Sequence, residues 1–187
     1  LLLIVVGGVK RIAHFAQVAV PLMAAGYIAV SFAVVFANLE MVPGVVKLII
    51  DSAFGLDAGF GAIVAMAVQW GVKRGVYSNE AGQGSGPHPA AAAEVSHPAK
   101  QGLVQAFSVY VDTLLICSAT AFMILLTGLY NVESGDGGYL YQGLAGVEAG
   151  PGYVQASFDT VLPGFGSGIL AIALLFFAFT TIIAYYY

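Results

Sequence analysis

The chain has 187 residues, 59% of them hydrophobic and only 9% charged, with a net charge of −4 and a mean hydropathy of +0.90. A soluble domain carries about 25% charged residues, and a fold of this size could not cover so much apolar surface, so the expected solvent is lipid. No basic cluster is present, which argues against nucleic acid as a partner. The single cysteine, Cys117, rules out an intrachain disulfide and reads as a small apolar packing residue.

An all-α integral membrane protein is expected, built from spans of about 20 apolar residues. Residues 1–9 are too short for a span and read as the tail of one; with no initiator Met or basic leader, the chain reads as an internal fragment. Residues 15–37 form a full span, with Pro21 placed near its start, where proline is tolerated. Residues 59–96 form an apolar stretch broken at 78–86. A further span covers 103–128, and a last one 164–187. The connections 38–58 and 131–163 are long, and Val45–Phe54 and Tyr153–Leu162 within them look amphipathic.

Charge sorts these connections. Lys10, Arg11 and His14 precede the 15–37 span, and His97 with Lys100 precedes the 103–128 span. Glu40, Asp51 and Asp57 outweigh Lys47 in the 38–58 connection, and 131–163 has four acids and no Lys or Arg. One crossing per span puts the basic connections on one side, and the positive-inside rule assigns the Lys10 and Lys100 loops to the cytoplasm. The expected location is a cell membrane, crossed several times, of the bacterial or archaeal inner-membrane kind.

The broken stretch reads Val76-Tyr77-Ser78-Asn79-Glu80-Ala81-Gly82-Gln83-Gly84-Ser85-Gly86-Pro87. Unpaired backbone at membrane depth must be buried in protein or line a wet cavity, and secondary transporters build solute sites from such breaks. Gly82, Gly84 and Gly86 permit unusual backbone conformations, and Pro87 suits the first position of a second half-helix. Free carbonyls from one half and free N–H groups from the other then face a gap able to hold a zwitterion or a cation. Glycines also serve close helix packing, but packing does not call for Ser78, Asn79, Glu80 and Gln83 at the same place. A phosphate loop is a poor match, because the Lys-Ser/Thr ending is missing. Glu80 is costly in lipid unless paired, and Lys73 and Arg74, one to two turns earlier, are its available partners.

Gln101, Gln105, Ser108 and Asp112 fall on one helical face, with Thr113, Cys117 and Thr120 on an adjoining strip. Asp112 reads either as an ion ligand or as a buried acid bonded to neighbouring helices. Thr180 and Thr181, in an aromatic run, read first as hydroxyls bonded back to their own helix. His14, His88 and His97 are too scattered for a metal site, and no catalytic constellation is present, so an enzyme is not expected.

These residues also carry a resemblance. Trp70-Gly71-Val72-Lys73-Arg74-Gly75-Val76-Tyr77-Ser78-Asn79-Glu80-Ala81-Gly82-Gln83-Gly84-Ser85 resembles the broken-helix signature of the alanine or glycine:cation symporter family. Similar pieces are Gly7-Gly8-Val9-Lys10-Arg11-Ile12, His97-Pro98-Ala99-Lys100-Gln101-Gly102-Leu103-Val104, Asp112-Thr113 and Phe177-Ala178-Phe179-Thr180-Thr181-Ile182. The resemblance implies sodium- or proton-coupled transport of a small neutral amino acid by alternating access. It implies a LeuT-like fold of inverted repeats, with this chain running from the end of span four to span eight. It places Ser78, Asn79, Glu80, Ala81, Gly82 and Gln83 at the substrate. It gives Thr180 and Thr181 to a sodium ion, and Asp112 or Thr113 to a second ion site. Gln83, the run from His88 to Ala90, and Ala184-Tyr185 depart from the family pattern, and the added amide of Gln83 favours a larger substrate such as glutamine. The alternatives are a LeuT-like carrier of another solute, and a channel with the glycine-rich segment as a re-entrant filter.

Overall fold

The computed structural model describes residues 8–54, 60–80, 82–133 and 138–185. The chain is mostly helical: α1 (Gly8–Ala37), a short 3₁₀ turn (Leu39–Met41), α2 (Val42–Phe54), α3 (Phe60–Ser78) and α4 (Pro87–Ala91) come first. A long helix α5 (Pro98–Thr127) follows, then strands β1 (Asn131–Glu133) and β2 (Tyr139–Gln142), α6 (Pro151–Val161) and α7 (Gly166–Tyr185). Arg11–Ala37 and Pro98–Thr127 are long and apolar enough to cross a membrane, and Gly166–Ile182 is a shorter apolar helix. The chain divides into two compact units, residues 1–42 with 119–186, and residues 43–118.

Among the described residues α1 runs from Gly8, so Lys10, Arg11 and His14 are helical and continuous with the apolar run after them. Neither Gly nor Pro interrupts residues 9–20, and polar side chains alone do not stop a helix. Pro21 consequently sits inside α1 and not near its start, where its missing N–H leaves the carbonyl four residues earlier without its helical partner. Of the residues read as the tail of an earlier span, 1–7 lie outside the described residues.

The first unit is built on a small core of Val34, Met123, Phe158 and Leu170, flanked by Tyr27, Val30, Val154 and Val161. The helix α6 thus covers α1 and α7 as a packed element, with Tyr153, Ser157 and Phe158 buried. Aromatic contacts add to it: Phe15 meets Phe179 edge-on at 5.7 Å, and Tyr27 meets Phe177 at 6.2 Å. The buried hydroxyl of Ser157 is satisfied, as its Oγ donates to the Tyr153 carbonyl and lies 3.0 Å from Thr127 Oγ1.

The hairpin β1–β2 departs from the all-α expectation. Asn131 pairs with Gln142 and Val132 with Tyr141, antiparallel, and the register shifts at Glu133. β-branched and aromatic residues favour an extended pleat, and Asn131 fixes the base through both side-chain atoms: Nδ2 donates to the Leu144 carbonyl, and Oδ1 accepts from the Leu144 N–H.

In the second unit, α5 starts cleanly. His97 caps it, its Nδ1 accepting the Ala99 N–H at 3.1 Å, with Pro98 in the first turn. Within α5, Val111–Cys117 forms a π-helical turn. Such turns insert one residue into an α-helix and are frequent at functional sites.

Candidate functional site

Helix α3 stops at Ser78 because the next residues leave helical space. Asn79 still donates its N–H to the Gly75 carbonyl at 3.1 Å, but Glu80 has φ of 51°, and Gly82 and Gly84 follow at 79° and 87°. Left-handed backbone costs a non-glycine residue about 1–2 kcal/mol, so the two glycines carry most of the reversal at no steric cost. Pro87 then opens α4.

The broken end of α3 is tied to the π turn. Ser78 Oγ donates to Asp112 Oδ2 at 2.6 Å, and Asn79 Nδ2 donates to Thr113 Oγ1 at 3.1 Å and to the Gly75 carbonyl at 3.0 Å. Residues expected at the substrate and residues expected at an ion site therefore meet side by side. Cys117 joins them, with Sγ 3.6 Å from Ser78 Oγ and 3.8 Å from Asp112 Oδ2.

Cys117 is exposed and bonded into this cluster, which corrects its reading as a buried packing residue. The π turn supplies the reason. Gln101, Gln105, Ser108 and Asp112 recur at α-helical steps, and the extra residue puts the next polar position five residues on, at Cys117. The step from Asp112 to Cys117 is the only trace of this in the sequence. The π register also leaves its mark at the end of the turn, where Ser118 Oγ donates to the Thr113 carbonyl at 3.2 Å.

The remaining candidates fall as follows. Gln83 is exposed in the turn and its N–H bonds the Glu80 carbonyl at 3.1 Å. Ala81 lies outside the described residues. Ser85 Oγ is buried with no hydrogen-bond partner among the described residues. Lys73 and Arg74 turn back over Trp70, at 4.8 and 5.5 Å from its ring centroid. A cleft of about 570 Å³ opens between α4 and the start of α5, lined by Gly86, Pro87, Ala90, Gln101 and Gln105 among others. Thr180 and Thr181 belong to the other unit. Their hydroxyls donate to the Phe176 and Phe177 carbonyls at 2.8 to 3.0 Å, which leaves their oxygen lone pairs able to face a cation.

Carboxylate, hydroxyl and amide oxygens are hard donors suited to a hard cation, and among the described residues no three His, Cys, Asp or Glu side chains gather as a metal cluster would. Secondary transporters build their sites from helices broken in this way. The whole chain, residues 1–187, matches the sodium:alanine symporter family. It is 66% identical over 98% of its length to a Bacillus subtilis protein named "Putative sodium/proton-dependent alanine carrier protein YrbD", covering 38% of that protein. It is 63% identical to the sodium/proton-dependent alanine carrier protein of Bacillus sp. strain PS3, over 97% of this chain and 41% of that one. It is 37% identical to the sodium/alanine symporter AgcS of Methanococcus maripaludis, over 98% of this chain and 38% of that one. The chain belongs to the sodium:alanine symporter family, a family of transporters and not of enzymes. It spans about two fifths of the length of these relatives.

Proposed function

We propose that the protein carrying this chain takes up a small neutral amino acid, coupled to sodium or to protons, by alternating access in a LeuT-like helix bundle. The chain contributes the stretch from the end of span four to span eight, in a cell membrane with Lys10 and Lys100 toward the cytoplasm. The observation that carries this reading is the joining of Ser78 to Asp112 and of Asn79 to Thr113 at the break of α3.

Among the described residues Asp112 accepts from two neutral donors, Ser78 and Cys117, and its carboxylate oxygens are hard donors of the kind that suits a sodium ion. A charge at membrane depth is costly alone, and an occupied site lets the break close around its solute. In this reading backbone and side-chain groups from Ser78 to Gln83 receive the amino acid, while Thr180 and Thr181 serve a further sodium site. Ion and substrate drive transport only if together they bind one conformation better than the other. Relatives named for alanine, and one 45% identical to this chain named "Probable sodium/glutamine symporter GlnT", support alanine or glutamine as substrate.

The test is uptake of labelled alanine, glycine and glutamine into liposomes holding the full-length protein, with and without an inward sodium or proton gradient. Concentrative, gradient-dependent uptake is expected. Uptake that neither saturates nor concentrates would mark a channel and sink the symporter reading.

A further inference from the structure

The helix leading into the break carries a basic pair for which the ion site has no use. Lys73 Nζ and Arg74 Cζ lie 4.8 and 5.5 Å from the Trp70 ring centroid, and both residues are exposed. Among the described residues neither forms an ion pair. Two adjacent cations on a mostly apolar helix are expensive unless hydrated or paired. The indole face holds them in place electrostatically without cancelling their charge. The exposed, uncancelled pair is therefore open to an anion.

Their position says which anion. Trp70, Arg74 and Ser78 recur at steps of four residues, so they share one face of α3. One helical turn, about 6 Å of rise, separates Arg74 from Ser78, and Ser78 is bonded to the Asp112 carboxylate. Positive charge thus lies on the approach to the break, one turn before the residues read as receiving the amino acid. The planar guanidinium of Arg74 can also take both oxygens of one carboxylate.

We propose that Trp70, Lys73 and Arg74 form an entry subsite that receives the carboxylate of the amino acid one turn before the Ser78–Asp112 pair. This rests on the amino acid transport reading above. Carboxylate capture acts on the apparent affinity for substrate and leaves the cation site untouched.

The experiment uses the full-length protein in phosphatidylcholine liposomes, with Arg74→Gln, the Lys73→Gln/Arg74→Gln double variant, and Arg74→Lys. Loss of both cations is expected to raise the KM for alanine about tenfold, more than it changes Vmax. The sodium concentration for half-maximal uptake stays as in the wild type, and Arg74→Lys recovers part of the KM. An unchanged KM in the double variant overturns the proposal, as does a fall in Vmax alone. A wild-type protein whose low KM appears only with added phosphatidylglycerol would assign the pair to lipid headgroups and overturn it too. Wild-type protein with no gradient-driven uptake would instead overturn the transport reading, and this subsite with it.

Discussion

Ser78 donates its hydroxyl hydrogen to Asp112 Oδ2 at 2.6 Å, which ties the last residue of α3 to the π turn of α5. Both elements are irregular there, and each irregularity serves the other. The break frees Ser78 and Asn79 from further helix, and the π turn presents the consecutive residues Asp112 and Thr113 to that end. A hydrogen bond to a charged acceptor contributes about 1.5–3 kcal/mol, so the bond is strong enough to hold one conformation. It is also weak enough to yield when an ion enters.

Asp112→Asn separates charge from geometry. An amide oxygen still accepts from Ser78, so the expected thermal stability is near that of the wild type, while the sodium concentration for half-maximal uptake rises about tenfold or more. Asp112→Ala adds the loss of the Ser78 hydrogen bond, about 1 kcal/mol at this exposed position. Uptake against sodium concentration, with melting curves for both variants, checks this. Unaltered sodium dependence in Asp112→Asn would remove Asp112 from the ion site.

Gly82 and Gly84 test the turn itself. At both, an added Cβ meets nothing within 4 Å, so any penalty comes from the backbone alone. With φ of 79° and 87°, each Gly→Ala change is expected to cost about 1–2 kcal/mol. Equilibrium unfolding in detergent reads this out, and a neutral Gly84→Ala would mean that residue 84 does not hold the left-handed conformation.

The helical character of the chain was legible because apolar runs of this length have few other solutions, and the glycines and Pro87 are visible where α3 gives way to α4. Other features left no such mark. Charge at Lys10, Arg11 and His14 marks a side of the membrane without ending a helix, and no backbone signal stops α1 there. A π turn is one surplus residue, and a single step of five between Asp112 and Cys117 is too short a pattern to separate from chance. A lone cysteine in an apolar run carries no sign of a polar role, and only the π turn brings Cys117 to the Asp112 carboxylate. The strand Tyr139–Gln142 has no apolar–polar alternation, and its pairing with Asn131–Glu133 depends on contacts that Asn131 makes at Leu144 and Val147.

Gly166 marks a close approach of α7 to the end of α6. A Cβ there would stand 2.5 Å from Asp159 Oδ1, 2.7 Å from Asp159 N and 2.8 Å from the Phe158 carbonyl carbon. Two of those atoms are backbone and cannot swing aside, while Phe158 is buried in the core. Gly166→Ala is expected to destabilise by about 1–3 kcal/mol through overpacking, seen as a lower melting midpoint. Gly168→Ala, with nothing within 4 Å of its added Cβ, is the matched control, and equal melting of the two variants would deny the contact.

Tyr130 offers a test by pH outside the spanning helices. Burial raises its phenol above the ordinary value of 10.0, and Tyr141 beside it raises it further. The two rings lie 4.9 Å apart, and the Tyr141 hydroxyl donates to the Gly128 carbonyl at 3.0 Å. A raised folded-state value means that the folded hairpin holds its proton more tightly than the unfolded chain. The stability this contributes is complete below about pH 10 and is lost as the pH rises through the raised value. Tyrosinate absorbance, taken as the difference between wild type and Tyr130→Phe, should therefore show Tyr130 ionising above pH 10. Tyr141→Phe should bring that ionisation part of the way back, leaving the larger effect of burial. A Tyr130 that ionised at or below pH 10 would mean that the hairpin does not shield it.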